Sequence, residues 1–407
     1  MEYREYDHSR DREAVHRIWR EIGWLGKDKA EIMDAILESS RAMVAEVNGE
    51  AECLVNSAAG VMRYLDADLP FAGCNGAATS RVARKQGLAK RALARLVAAD
   101  VADGALVVGL GMFDQGFYDQ LGYGTSGYEH VLRFDPAALN VDVRARPPRR
   151  LTADDRDLMH ASRLARLRAH GGVNFHSTVL SETRWGETHF GLGYCDGSDG
   201  ALTHHFWCRP ENVESGPYKI EWIAYQSREQ FFELMALIKS LADQVMLVEM
   251  REPPLLQLQD LIDRPFRRQR VTGRSRFQAR IEANAYFQMR ICDLPRCLAY
   301  TRLPGVDLRF NLRLSDPIER LLDEDAPWRG VAGEYVVSLG ESSGAEPGRD
   351  PSLPTLNAGV NAFTRLWLGA RTASGLAMTG QLSGVRSLLD KLDSAVRLPE
   401  PQPDWDF

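Results

Sequence analysis

One order of predicted elements, strand–strand–helix–strand, occurs twice along this chain, and the repetition limits the folds open to it. In the first block, residues 42–65 form a predicted hairpin that turns at Asn48-Gly49. A strand near 73–80, a helix over 87–101 and a strand over 105–111 follow. Strands that alternate with helices in this way pack in layers, so we predict an α/β fold with mixed sheets.

Two helices, over 10–20 and 29–41, precede the first block, so its predicted order is two helices, four strands, a helix and a strand. The second block has the strand–strand–helix–strand order in residues 200–210, 218–226, 227–243 and 244–250. No glycine separates Tyr225 from Phe232 at the start of its helix. We interpret the second block as an internal structural repeat that lacks the ligand loop of the first.

The chain has 407 residues, of which 44% are apolar, and this is enough for several domains with their own cores. The stretch "RARPPRR" (144–150) contains a double proline and marks a linker. From about residue 285 the pattern changes to strands with turns, followed by helices. We therefore predict domains at 1–143, 144–285 and 286–407, of which the third is also α/β.

Charge and apolar patterning exclude several classes of function. The net charge of −6 gives no basic footprint for nucleic acid, and no run approaches the ~18 apolar residues of a membrane span. The charged N-terminus lacks the apolar region of a signal peptide, so we expect a cytoplasmic protein. Six scattered cysteines without Cys-x-x-Cys spacing predict free thiols. The pair His204-His205 does not predict a metal site, because adjacent strand residues point to opposite faces.

The start of the helix in the first block carries an informative motif, Arg84-Lys85-Gln86-Gly87-Leu88-Ala89-Lys90. The first turn of a helix offers several backbone N–H donors at the positive end of its dipole. Gly87 and Ala89 leave space for a pyrophosphate, and Arg84, Lys85 and Lys90 add positive charge. Spacing alone also allows a glycine-containing turn before an ordinary surface helix, since short glycine patterns match by chance.

A tyrosine segment downstream, Phe117-Tyr118-x-x-Leu121-Gly122-Tyr123, narrows these alternatives. Together with Arg-x-x-Gly-x-Ala, it resembles the GNAT acetyltransferase superfamily. The resemblance implies acetyl-CoA as co-substrate, with its pyrophosphate at residues 84–90, and implies that Tyr118 protonates the leaving thiolate. A tyrosine in this segment can instead be a core aromatic, and we assign that role to Tyr123. The residues implied to hold the CoA arm are Ala77, Ala78, Thr79, Phe113 and Asp114.

The whole chain, with one complete block, one block without the loop and a third α/β part, resembles the Eis-like N-acetyltransferases. In that family two tandem GNAT folds precede a domain similar to sterol carrier protein, and "MRICDLPRCL" (289–298) and "LWLGARTAS" (366–374) resemble stretches of that domain. The resemblance implies a homo-oligomer, namely a hexamer, that needs no metal. It also implies a small-molecule amine as acceptor. The best-known acceptors of the family are aminoglycosides and other polyamine-like cations.

The chain ends in Trp405-Asp406-Phe407, and Eis-like proteins end in an aromatic residue, an acidic residue and Phe. The resemblance implies that the terminal carboxylate of Phe407 is the catalytic base, and an α-carboxylate is ionised at neutral pH. The alternative is a frayed tail. The terminal aromatics favour burial, and the prolines of "LPEPQP" limit the unfolded freedom of the tail. Two further residues each have two possible roles. Asp406 either attracts a cationic substrate amine or only solvates the tail. Trp24 either forms a wall of the substrate pocket or packs in the core.

The phosphate loop departs from the Eis-like pattern, because it has fewer arginines and lacks Leu-Leu after the glycine. This leaves the acceptor open between an aminoglycoside-like cation, a protein lysine and a small metabolite amine. A different class of function is a lipid- or acyl-binding protein with an inactive first domain. The intact Arg84, Gly87 and Ala89 together with Tyr118 argue against inactivity.

Overall fold

Helices and strands alternate along most of the chain, as the sequence predicts. The computed structural model describes residues 1–26, 29–265 and 276–407. The strands are β1 (Glu2–Glu5), β2 (Arg41–Val47), β3 (Glu50–Tyr64), β4 (Ala67–Thr79), β5 (Val107–Gly111), β6 (Gly124–Thr125), β7 (Glu129–Phe134), β8 (Arg149–Leu151), β9 (Val173–Phe175), β10 (Phe190–Tyr194), β11 (His204–Pro210), β12 (Tyr218–Ala224), β13 (Val248–Arg251), β14 (Arg280–Asn284), β15 (Phe287–Ile291), β16 (Leu308–Ser315), β17 (Gly333–Leu339), β18 (Gly344–Pro347), β19 (Thr355–Gly359) and β20 (Leu382–Ser383). The helices are α1 (His8–Ile22), α2 (Ala30–Glu38), α3 (Leu88–Ala102), α4 (Gln115–Asp119), α5 (Arg156–Ala165), α6 (Val179–Glu182), α7 (Arg228–Lys239), α8 (Leu294–Ala299), α9 (Val360–Trp367), α10 (Ala373–Met378) and α11 (Arg386–Ala395).

Contacts divide the chain into two units. Unit 1 contains Met1–Gly127, His170–Ser177 and Tyr286–Phe407, and unit 2 contains Tyr128–Ala169 and Thr178–Ala285. The division into three domains at 143 and 285 stays a prediction. Among the helices of the described residues, none is long and apolar enough to cross a bilayer.

The main sheet of unit 1 has the strand order β1-β2-β3-β4-β5-β15-β6, and β9 pairs with the far end of β3. Strands β3 and β4 form a long antiparallel pair from Cys53–Thr79 to Tyr64–Ala67, and β4 runs parallel to β5. Helix α3 provides the crossover that a parallel pair requires. The first strand after the predicted second domain, β15, lies in this sheet between β5 and β6.

Helices cover both faces of this sheet. Successive residues of β3 point to opposite sides, so each face packs against a different helix. Val55 packs with α3 residues such as Leu93, while Leu54 packs with α1 residues such as Val15 and Trp19. Helix α3 is rich in Ala, Leu and Arg, which are strong helix formers. Burying each large apolar side chain contributes about 1.5–3 kcal/mol, so the two helices fix the sheet from both sides.

Unit 2 repeats the central arrangement of unit 1, as the sequence predicts. Strands β11 and β12 are antiparallel, β12 and β13 are parallel, and α7 connects the parallel pair. The full strand order is β14-β7-β13-β12-β11-β10-β8.

The part after β15 contributes a second sheet to unit 1, in the order β18-β17-β16-β19-β20. Its strands and helices confirm an α/β arrangement for this part. Its likeness to a sterol carrier protein stays a prediction.

Three sequence predictions about elements are wrong. Three strands lie between α2 and α3 where four were predicted, and the strand β1 precedes α1. The sequence of β1, "EYRE", has no apolar alternation, and it becomes a strand by pairing with β2. The polar stretch "GESSGAEPGRDPSLP" (340–354) predicts a loop, yet it contains β18, whose residues are poor strand formers and are held by pairing with β17.

A fully buried ion pair connects β15 to the segment after β16. The guanidinium of Arg290 binds the carboxylate of Asp316, both side chains are 0% exposed, and Arg290 also donates to the backbone oxygen of Leu121. The carboxylate accepts the backbone N–H groups of Val331, at 3.0 Å, and of Ile318, at 3.1 Å. Each charge therefore has several partners, which a buried ion requires.

We predict that Asp316→Ala lowers the free energy of unfolding by about 3–5 kcal/mol, because it leaves the Arg290 charge buried and uncompensated. Urea unfolding measures the loss. The matched control is Asp390→Ala, which removes the exposed i,i+4 pair with Arg386 and should cost about 0.5 kcal/mol or less. Equal losses in the two variants would contradict the prediction.

Candidate active site

Strands β4 and β5 part in the middle of the main sheet. Their parallel pairing ends at Cys74–Leu110, whereas β4 stays paired with β3 as far as Thr79. A β-bulge places Asn75 as the extra residue at this point, and Asn56 donates to its side-chain oxygen at 2.5 Å. The side of β4 that faces away from β3 thus offers backbone groups from Asn75 onward. Bulges that re-aim a strand are frequent beside active sites.

Helix α3 begins beside this opening without a side-chain cap. Its N-cap residue is Gly87, in the left-handed region at φ 78°, and no side chain in the described chain caps the helix. A Cβ on Gly87 would have nothing within 4 Å, so space lies in front of the helix. The N–H groups of the first turn have no partner within the helix and carry the positive end of its dipole. The N-terminal end of α3 can therefore bind an anion.

The predicted phosphate-loop residues surround this helix start. Arg84, Lys85, Gln86 and Gly87 are exposed, and Lys85 is itself left-handed at φ 65°. Lys90 donates to the side-chain oxygen of Gln120 at 2.7 Å, which ties α3 to α4. Leu88 is buried in the core, so only its backbone faces the loop, and Ala89 is half-buried.

The corresponding helix of unit 2 already has its own cap. The Ser227 hydroxyl accepts the N–H of Gln230, and the Gln230 side chain accepts the N–H of Gln226 at 2.7 Å. These side chains use the donors that an anion would need. The absence of a glycine in the sequence of this loop therefore coincides with a helix start that already has a side-chain cap.

Tyr118 lies on α4 and is 9% exposed. Burial raises the pKa of its phenol well above the ordinary value, and the nearby Cys74, Tyr286 and Asp114 raise it further. The hydroxyl therefore keeps its proton throughout the neutral range and can act as an acid. Asp114 caps α4 by accepting the N–H of Phe117 at 3.3 Å, which fixes the helix that carries Tyr118.

Tyr123 differs from Tyr118 in its surroundings. It is fully buried at 0% exposure, and its hydroxyl has no hydrogen-bond partner among the described residues. Its ring packs edge-on against Tyr118, with the ring centres 6.3 Å apart. These contacts are those of a core aromatic that supports Tyr118.

The C-terminal residue lies against the same region of β4. The ring of Phe407 packs with Phe287, Phe175 and Phe71 at centre distances of 5.0, 5.1 and 5.6 Å. A Cβ on Gly73 would lie 2.8 Å from the ring of Phe407, so the chain end covers β4 at that residue.

Gly73 and Cys74 are consecutive residues of β4, so their side-chain positions face opposite sides of the sheet. Phe407 covers the Gly73 side, and Cys74 packs with the cluster that contains Tyr118 on the other side. Tyr118 and the C-terminus therefore approach one short stretch of β4 from opposite faces, where β5 leaves it.

The other predicted residues lie as follows. Ala78 is buried in the core beside α1, while Ala77 and Thr79 are half-buried on the part of β4 that pairs with β3 but not with β5. Trp24 is 44% exposed and Phe113 is 97% exposed. Asp406 is half-buried and has an interaction of its own.

Two residues near the opening were not predicted from the sequence. Tyr286 covers the end of β5, since a Cβ on Gly111 would lie 2.6 Å from its hydroxyl. Asp100, near the end of α3, accepts a hydrogen bond from Ser57 at 2.7 Å, and Ser57 pairs with Cys74 across the bulge. In the sequence, Gly111 indicates that a ring such as that of Tyr286 can pack closely against the backbone. No sequence feature indicates that Asp100, in the middle of the chain, is buried.

His204 and His205 bind different partners, in accordance with their opposite directions on β11. His204 contacts Glu233 at 3.1 Å, whereas His205 accepts from Trp222 at 3.0 Å. Asp196, His204 and Glu233 bring ligand atoms together in unit 2. Arg146 binds both carboxylates, with distances of 2.7 Å to each, and lowers the pKa of Glu233 to about 2. The cluster is an ion-pair network around Arg146.

A cavity in the C-terminal part of unit 1 bears on the lipid-binding alternative. It has a volume of about 20 Å³, which is enough for one water molecule. Its walls include Tyr64, Phe310 and Trp367. This cavity is too small for a fatty chain.

We predict that Asp100 makes stability depend on pH. Burial raises the pKa of its carboxyl from 3.8 to about 6, so between these values the folded protein holds a proton that the unfolded chain has released. Its contribution to stability therefore falls as the pH rises through this window. Relative to wild type, Asp100→Asn should gain about 2 kcal/mol between pH 4 and pH 7 in urea unfolding. A difference between wild type and Asp100→Asn that stays flat between pH 4 and pH 7 would refute the prediction.

Comparison with known proteins gives structural likeness without sequence likeness. No family model and no curated protein sequence matches the chain. A probable N-acyltransferase from Enterococcus faecalis V583 has a TM-score of 0.79 at 18% identity, covering 100% of this chain and 99% of its own. A GCN5-related N-acetyltransferase from Anabaena variabilis gives 0.77 at 16% identity, and Eis1 from Mycobacterium abscessus gives 0.76 at 16%, each covering 100% of both chains. Over its whole length, the chain has the fold of these acyltransferase structures.

Proposed function

We propose that this protein is an acetyl-CoA-dependent N-acetyltransferase. The observation that carries the proposal is the parting of β4 and β5 beside the uncapped start of α3. An extended thioester fits along the unpaired side of β4, and its pyrophosphate fits the free N–H groups of α3. The exposed Arg84 and Lys85 add positive charge at that end.

The reaction follows from the groups on the two faces of β4. The carboxylate of Phe407 removes a proton from the acceptor amine, and the amine nitrogen attacks the thioester carbon. Backbone N–H groups at the bulge hold the oxyanion of the tetrahedral intermediate. The C–S bond then breaks, and the phenol of Tyr118 gives its proton to the thiolate. The products are an N-acetyl amide and free CoA.

A cationic small molecule with primary amines is the acceptor that we propose, with aminoglycosides as the first class to test. Asp406 beside the chain end supplies negative charge, and the exposed ring of Trp24 supplies an apolar wall. A protein lysine or a small metabolite amine is the alternative acceptor. From the resemblance of the sequence to the Eis-like N-acetyltransferases, we also propose a homo-oligomer, with a hexamer as the expected state.

Acetyl-CoA binding provides the first test. Isothermal titration should show saturable binding, and Gly87→Asp should weaken it by roughly tenfold or more, because a carboxylate then occupies the anion position. Asp tolerates the left-handed conformation better than most residues, so the fold should survive. The matched control is Ser227→Ala, which uncaps α7 and should leave acetyl-CoA affinity unchanged. Absence of binding to the wild-type protein at millimolar acetyl-CoA would refute the proposed function.

The two tyrosines provide a second test. Tyr118→Phe should lower kcat by about 100-fold or more with unchanged affinity for acetyl-CoA, because only the proton donor is lost. Tyr123→Phe removes a buried hydroxyl that has no hydrogen-bond partner among the described residues, and it should change kcat and stability little. Release of CoA is followed across aminoglycosides, polyamines and lysine peptides, which also identifies the acceptor. The reverse order of the two variants would mean that Tyr123 is the acid.

A further inference from the structure

The C-terminal tail is bound along its length to other parts of unit 1. The N–H of Gln402 donates to the oxygen of His170 at 3.0 Å, and the N–H of Val173 donates to the oxygen of Pro403 at 2.9 Å. Pro401, Pro403 and Trp405 are buried in alternation with half-buried residues, and Trp405 is 1% exposed. The tail is therefore packed against the protein rather than frayed, and its backbone turns at Asp404, which is left-handed at φ 53°.

Four glycines lie directly under the tail. At each of them, an added Cβ would stand less than 3.0 Å from a tail atom. These glycines and the tail atoms are Gly369 with Leu398 Cβ at 2.7 Å, Gly127 with Glu400 Cγ at 2.5 Å, Gly171 with Gln402 N at 2.7 Å and Gly73 with Phe407 Cδ2 at 2.8 Å. They come from four separate places in the sequence and follow the tail in order from Leu398 to Phe407.

We propose that these four glycines, the glycine track, position the C-terminal tail and so bring the terminal carboxylate to the opening beside β4. The role of the carboxylate as base rests on the proposed function. The glycines are positioning residues, because they touch the tail and neither the thioester nor the amine. Without a side chain, each lets the tail approach closer than any other residue would permit.

Turn geometry does not explain two of the four glycines, whereas Gly171 and Gly369 are left-handed at φ 83° and φ 70°. Gly73 and Gly127 have no left-handed backbone conformation, so the turn geometry does not require glycine there. Other glycines, such as Gly344 and Gly305, have nothing within 4 Å of an added Cβ. The physical reason for glycine is the close approach of the tail at 127, and the close approach of both Phe175 and the tail at 73.

The glycine track ends at Gly73, which lies under the ring of Phe407. At Gly73 an added Cβ would also lie 2.5 Å from Cζ of Phe175, and both rings belong to the aromatic cluster around the chain end. A methyl group here cannot be accommodated by rotating one flexible side chain, because packed rings block it. At Gly127 the contact is with the side chain of Glu400, which can rotate away. We therefore expect Gly73→Ala to displace the chain end much more than Gly127→Ala.

Release of Phe407 by carboxypeptidase tests the position of the tail without any assumption about activity. In the full-length protein, release should be slow, and Gly73→Ala should accelerate it by roughly tenfold or more, because cleavage follows the population with a displaced tail. Gly344→Ala is the matched control, since its backbone is equally ordinary and its added methyl group meets open space.

Gly171→Ala provides an independent variant in the buried segment before β9. Gly171 is left-handed at φ 83°, so its control is Gly305→Ala, at φ 76° with nothing within 4 Å. The backbone strain is shared by both variants, and only Gly171→Ala meets the tail. We expect faster release of Phe407 in Gly171→Ala and wild-type release in Gly305→Ala.

Acetyl transfer tests the role of the positioned carboxylate. In Gly73→Ala, kcat should fall by roughly tenfold or more while the Kd for acetyl-CoA from titration stays unchanged. For an alkylamine acceptor, the loss should shrink as the pH rises toward the amine pKa of about 10.4, because the free amine needs no base. A chain extended beyond Phe407 should show the same loss and the same recovery.

Two outcomes overturn the proposal. If Phe407 is released at the wild-type rate in both Gly73→Ala and Gly171→Ala, the glycines do not hold the tail. If release is faster but kcat is unchanged at every pH, the track holds the tail but the carboxylate is not the base. Failure of the wild-type protein to bind acetyl-CoA refutes the proposed function separately, since the carboxypeptidase result does not depend on it.

Discussion

The site depends on one constraint in the main sheet, the loss of pairing between β4 and β5 after Cys74–Leu110. A strand that leaves its neighbour exposes backbone groups that water or a ligand must satisfy. Here β3 holds β4 on one side and β15 holds β5 on the other, so both strands stay ordered while the space between them opens. The bulge at Asn75, the start of α3 and the end of β5 all meet at this opening.

The repeat in unit 2 shows by contrast what the opening needs. It has the same antiparallel pair, the same parallel pair and the same connecting helix. Its helix start is capped by Ser227 and Gln230, whereas α3 starts at an uncapped glycine. Two copies of one arrangement thus differ in whether the helix donors are already used. This difference supports assigning the chemistry to the block that contains Gly87.

The acid and the base that we propose come from separate parts of the sequence. Tyr118 belongs to a short helix that Asp114 caps, directly after β5. The chain end reaches the opposite face of β4 after the whole third part of the chain, and it is held there by the backbone bonds of the tail and by close contacts at glycines. Holding the tail in one conformation costs conformational entropy. Its many small contacts must offset that cost.

The sequence by itself determined the α/β alternation, the repeated block, the glycine at the start of α3 and the tyrosine segment, because hydrophobic period and turn chemistry are local properties. It did not determine that β1 and β18 are strands, since pairing with β2 and β17 overrides their poor propensity. Nor did it reveal Asn75 as a bulge, Asp100 as a buried acid or Phe175 as a neighbour of Phe407. Only the tertiary structure decided these, because each results from contacts between residues far apart in the sequence.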